Sequence, residues 1–113
     1  MAATAVAPVI SRLADKPRLR PTLRKFAVRL REQLMAMETA QGANDLEQLA
    51  QLAHWLKGAA GTVGYDAFTA PAASLEQLVQ ARSTGKIPAA LAEIRALADR
   101  MVVPAEEATV MAG

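Results

Sequence analysis

The chain has no cysteine, which excludes disulfides, thiolate zinc sites and cysteine nucleophiles together. It has a single histidine, too few for a His-rich metal site. No apolar run approaches the ~18 residues of a membrane span. The opening MAATAVAPVI lacks the basic start and long apolar stretch of a secretory signal. A cytoplasmic location, without membrane contact by this domain, is the expectation that follows. Aromatic residues make up 4% of the 113 residues, and β-branched residues are few. Alanine and leucine fill the apolar share instead, and such a composition is all-helical in character. One domain of this length, with nothing covalent to staple it, must bury its core between a few packed helices.

Charge is present but unevenly placed. The formal net charge is +2. Residues 12–31 hold Arg12, Lys16, Arg18, Arg20, Arg24, Lys25, Arg29 and Arg31 against Asp15 alone. Residues 32–113 hold five basic and ten acidic side chains. A basic stretch can serve nucleic acid or a membrane surface. Here no aromatic platform or nucleic-acid motif accompanies it, so the solvated face of an amphipathic helix is the favoured reading and no nucleic-acid partner is expected.

The apolar pattern divides the chain. A flexible leader is expected over 1–8 and a flexible tail over 104–113, with the bundle over 9–103. A short extra N-terminal helix is expected at 9–15. From Thr22, as N-cap, Leu23, Phe26, Leu30, Leu34 and Met37 recur at helical spacing. Gly42 suits the left-handed end of that helix. Asn44 or Asp45 caps the next, whose seam is Leu46, Leu49, Ala53, Leu56, Ala60 and Val63. A third helix runs from about Tyr65 to Ser83, with a kink or fresh start at Pro71. A fourth spans about 88–102 and ends before Pro104. Four such helices of about 15–20 residues with short connections predict an antiparallel up-down-up-down four-helix bundle, all-α in class.

One segment carries chemistry: Ala53-His54-Trp55-Leu56-Lys57-Gly58-Ala59-Ala60-Gly61-Thr62-Val63-Gly64. At ~100° per residue, His54 points well off the apolar seam. Its neighbours along the helix are Ala50, Gln51, Lys57, Gly58 and Gly61, three of which have almost no side chain. An imidazole above a cleared patch suits a nucleophile that must meet a large anion and a partner's active site. Lys57 would offset phosphoryl charge. Glycine inside a helix costs ~1 kcal/mol relative to alanine, and two of them stand beside this one histidine. Against this, a lone surface histidine is usually only a surface residue, and the small residues could serve close helix packing.

The run His54-x-Leu56-Lys57-Gly58, then Val63-Gly64, Phe68 and Leu75-Glu76 resembles the signature of histidine-containing phosphotransfer (HPt) domains. The resemblance implies a four-helix bundle, often with a short extra N-terminal helix. It implies His54 as phosphoacceptor, Lys57 and Gly58 as its motif partners, and Gly64 as the glycine that turns the chain into the next helix. Family members often carry alanine or a similar helix former where this chain has Pro71. The implied function is a phosphorelay carrier of two-component signal transduction. Through Nε2, His54 would take a phosphoryl group from a receiver-domain aspartate and pass it to another receiver.

Partners would be response-regulator receiver domains and a histidine kinase, with Glu47, Ala50, Gln51, Trp55 and Gly61 on the docking face. Trp55 serves either that face or packing beneath the N-terminal segment. Arg29 or Arg31 would steer charge if their helix borders the site. No cofactor is expected in this chain, and Mg²⁺ would come with the receiver. No phosphate loop or kinase signature is present, so no autonomous kinase activity is expected. A free-standing carrier and the HPt domain of a hybrid sensor kinase both fit the length, and a monomer is the simplest state. The competing class is a plain helical interaction module, for which His54→Gln would leave binding intact. A nucleic-acid binder would instead lose affinity steeply with salt.

Overall fold

The structure is a computed structural model that describes residues 7–104. Its elements are α1 (Arg20–Gly42), α2 (Leu46–Thr62), α3 (Thr69–Gln80) and α4 (Ile87–Asp99). Single 3₁₀ turns, Pro17–Leu19, Asp66–Phe68 and Thr84–Lys86, lead into α1, α3 and α4. Each helix packs against its two neighbours around the ring, α1 on α2, α2 on α3, α3 on α4 and α4 on α1. This is the expected up-down-up-down four-helix bundle. Leu23, Leu30 and Met37 of α1, Leu49 and Leu56 of α2, Leu75 of α3 and Ile94 of α4 are fully buried at its centre.

The helix starts follow from local chemistry. Asp45 caps α2, its carboxylate accepting from the Gln48 amide at 3.2 Å, a contact worth ~1 kcal/mol. α1 begins three residues before the expected start. Thr22 is not its cap; Leu19 holds that position without a side-chain bond, and Pro21 sits inside the first turn. Proline is tolerated there because the first amides of a helix have no partner anyway. The same rule settles Pro71, which lies in the first turn of α3 after the 3₁₀ turn Asp66–Phe68. The fresh start is what forms, and no kink is needed.

The ends of α1, α2 and α3 share one geometry. Asn44, Gly64 and Arg82 take positive φ values of 56°, 80° and 56°. At each end the next amide reaches back five residues: Asp45 to the Ala40 carbonyl at 2.8 Å, Tyr65 to Ala60 at 2.9 Å, Ser83 to Leu78 at 2.9 Å. These are Schellman ends, which satisfy carbonyls the helix leaves open. Gly42 is therefore not the left-handed residue; it closes the helix, and Asn44 two residues later makes the turn. Asparagine tolerates this conformation because its short polar side chain bonds locally.

The expected helix at 9–15 does not form. Val9 and Ser11 run as a strap along the bundle's end, followed by a turn over 12–15. The Val9 amide donates to the Arg100 carbonyl at 2.9 Å, and the Val102 amide donates to the Val9 carbonyl at 2.8 Å. Backbone pairing with the segment after α4 thus replaces intrahelical bonds. It also stops α4 at Asp99, short of the expected 102, with Met101 paired to the strap. α3 and α4, at 12 and 13 residues, are shorter than expected. Ser11 is buried, donating from Oγ to the Val63 carbonyl at 2.7 Å and accepting from the Leu13 amide at 3.0 Å. The leader over 1–8 and the tail over 104–113 fall, apart from residues 7, 8 and 104, outside the described residues.

Candidate functional site

The site grows from the register of α2. Leu49, Leu52, Ala53, Leu56 and Ala60 are buried, so the opposite face must look outward. That face carries Glu47, Gln51, His54 and Gly58, all exposed, with Ala50, Lys57 and Gly61 half-buried along its flanks. The His54 side chain is 71% exposed. α3 packs along this helix more extensively than any other pair in the bundle. Small buried side chains on both helices, Ala53, Ala60 and Ala72, leave room for that closeness.

Closeness brings a carboxylate to the histidine. With Leu75 of α3 turned into the core, Glu76 stands beside α2. Glu76 Oε2 is 3.1 Å from His54 Nδ1, and Lys57 Nζ donates to Glu76 Oε1 at 2.9 Å. The Lys57 hydrogen bond is the main cause that holds the Glu76 carboxyl below its ordinary range; the His54 bond adds to it and burial opposes it. The group is therefore a carboxylate at neutral pH and accepts on both oxygens. A neutral imidazole facing that carboxylate carries its proton on Nδ1. Its Nε2 then keeps a free lone pair, with no hydrogen-bond partner among the described residues.

The glycines have a distinct environment. A Cβ built on Gly58 or Gly61 would meet nothing within 4 Å. Among the described residues their small size serves no packing, which argues against the close-packing explanation. Gly64 is the opposite case. A Cβ there would lie 2.7 Å from Ser11 Oγ and 3.0 Å from Leu13 Cγ, at a φ of +80°. It is the close-approach glycine of the strap, at the turn out of α2.

Trp55 leaves the His54 face. Its ring stacks on Phe26 of α1 with centroids 5.9 Å apart, and Phe26 stacks on Tyr65 at 5.7 Å. It is half-buried and packs on α1. Arg31 turns toward α4, 3.7 Å from Asp99. Two residues outside the expected set reach this region. Glu76 was visible in the sequence as a motif position, one step from a core leucine. Arg12, on the strap, pairs with Asp66 at 2.7 Å and donates to the Gly61 carbonyl at 3.2 Å; no periodic signal marks it.

Among the described residues no group of three His, Cys, Asp or Glu side chains could hold a metal ion. No helix among them is long and apolar enough to cross a membrane. Compared with known proteins, the chain matches one family model, described as Hpt domain, over residues 22–102. The comparisons with curated proteins and with solved structures returned no match.

Proposed function

The chain belongs to the Hpt domain family, which works in the phosphorelays of two-component signalling and carries no cofactor, and on that premise we propose that His54 is the phosphoacceptor of a relay carrier. Its partners are the receiver domains of response regulators and a histidine kinase. The carrier acts as a cytoplasmic monomer.

The observation that carries this reading is the bridge at Glu76, which takes His54 Nδ1 and Lys57 together and leaves Nε2 open to solvent. In the forward step the Nε2 lone pair attacks the phosphorus of a receiver's aspartyl phosphate. The bond from phosphorus to the carboxyl oxygen breaks, and the aspartate leaves as its carboxylate. The ring, still protonated on Nδ1, gains positive charge as the new N–P bond forms. Glu76 faces that charge and stabilises it, as a buried carboxylate does for a catalytic imidazole. Lys57 keeps N–H donors beyond the one given to Glu76, and these suit the phosphoryl oxygens. Mg²⁺ bound by the receiver neutralises the rest of the phosphoryl charge. The return step, to a second receiver, runs the same bonds backwards.

The same geometry supports a docking face around His54. Glu47, Ala50, Gln51, Gly58 and Gly61 surround His54, and Trp55 lies at its edge. Open space above Gly58 and Gly61 lets a receiver loop approach the ring. The test is transfer from a phosphorylated receiver to the wild-type chain and to His54→Gln. Acid-labile, base-stable label located on His54, and absent from the variant, supports the carrier. A folded wild type that takes no label from any of several receivers rejects it in favour of an interaction module.

A further inference from the structure

Away from His54, the outer side of α1 carries a feature that the relay does not use. Val28 and Met35 are 62% and 65% exposed, the highest values among the large apolar side chains described. They are seven residues apart and therefore share one helix face. A depression of about 620 Å³ lies over Pro21, Arg24, Lys25, Val28, Arg29 and Glu32. A second, of about 350 Å³, continues past Arg31 to Met35 and shares Val28 and Glu32 with the first. The two form one shallow groove along α1. The buried residues Leu23, Phe26, Leu30, Leu34 and Met37 lie on the other side of the helix. No described element covers the groove.

The charge along it works against α1 itself. The first turn has no acidic residue, although the positive end of a helix dipole favours one. Lys25 and Arg29, four residues apart, repel each other. The first depression is lined by Arg24, Lys25 and Arg29 against Glu32 alone, so its charge is net positive and a negatively charged occupant suits it. We propose that this face of α1 is a docking groove for an acidic amphipathic helix of a partner protein, separate from the His54 face. Apolar side chains one and two turns apart on that helix would cover Val28 and Met35, and flanking carboxylates would meet Lys25 and Arg29.

Other occupants fit less well. A second copy would bring the same cations face to face. A nucleic-acid backbone would gain nothing from Val28 and Met35. A bilayer surface calls for bulkier apolar anchors than these two.

The experiment is an amide chemical-shift titration of the full chain. The probe is a capped synthetic peptide of two Leu-Glu-Glu-Leu-Ala-Glu-Glu heptads. Shifts should concentrate at residues 21–35 and spare 47–61. Affinity should fall about tenfold or more when salt rises from about 20 mM to about 300 mM. Val28→Ser with Met35→Ser should weaken binding by about tenfold, as should Lys25→Glu with Arg29→Glu. A peptide of the same composition, scrambled to scatter its leucines, should bind at least about tenfold more weakly. Equal binding of the scrambled peptide overturns the proposal, as do shifts centred on His54. Tighter binding of a short DNA duplex or of phosphatidylserine vesicles assigns the groove to those partners instead. Movement of the groove amides in Glu106→Lys with Glu107→Lys, without peptide, assigns it to the chain's own C-terminal residues.

Discussion

Glu76 holds two side chains of the neighbouring helix, one on each oxygen. A free histidine side chain favours the proton on Nε2, the nitrogen that must be bare in the proposed transfer. The carboxylate reverses that preference. Nitrogen-resolved NMR of the neutral ring should find Nδ1 protonated in the wild type and Nε2 protonated in Glu76→Ala. The same variant should slow phosphotransfer by about tenfold or more, the worth of one charge-assisted hydrogen bond of ~1.5–3 kcal/mol. Glu76→Gln, which keeps an acceptor but no charge, should fall between. The glycines beside His54 give a contrasting expectation. Gly58→Ala and Gly61→Ala should each stabilise the fold by up to ~1 kcal/mol, because their Cβ atoms meet nothing. On the proposed docking mode they should also slow transfer, since the new methyl groups stand where a receiver loop approaches. Calorimetry and transfer rates on the same samples check both directions. His54, Lys57, Gly58 and Gly61 were legible because one helix carries them and its period is plain. Glu76 sits on another helix, and only packing decides which carboxylate comes within reach.

At the scale of the elements, seams were easier to read than boundaries. Leu49, Ala53, Leu56 and Ala60 fall on the buried side of α2 as their spacing predicts. α1 ends at Gly42 as its glycine suggests, but the left-handed residue is Asn44; α3 stops at Gln80, short of the expected Ser83, because Arg82 takes the left-handed turn. Gly64 is where glycine is required twice, by its φ and by the strap against it. Gly64→Ala should destabilise by about 1–3 kcal/mol, through backbone strain and the clash with Ser11. Pro71→Ala, by contrast, should change stability by less than about 0.5 kcal/mol, because no backbone bond depends on that position. Denaturant midpoints of the two variants separate these cases.

For the whole molecule, the strap closes the bundle at the end where α2 turns into α3. It joins Val9 to the segment after α4 and Ser11 to the close of α2. Tyr65 reinforces that closure, its hydroxyl donating to the Val102 carbonyl at 2.7 Å while burial pushes the phenol above its ordinary pKa. Pairing between segments some ninety residues apart leaves no periodic trace, so this part of the fold was not legible in advance. The bridge at Glu76 also ties α2 to α3 and makes stability depend on pH. A carboxyl lowered in the folded state contributes fully above its unfolded value of ~4.3, and the contribution is lost as pH falls through the lowered value. Melting curves of the wild type and Glu76→Gln should therefore differ most near neutral pH and draw together below about pH 4.

The stack of Trp55 on Phe26 has an optical consequence. Trp55 is the chain's only tryptophan, and it lies one residue from His54 while its ring seals the seam between α1 and α2. Indole emission shifts to the red when the ring passes from an apolar contact into water. The molecule thus carries its own fluorophore at the border of two regions. Its emission should shift to the red as α1 parts from α2 in denaturant and, on the proposed docking mode, should change in intensity when a receiver covers the neighbouring imidazole. An unlabelled sample in a cuvette can then follow both unfolding and encounter.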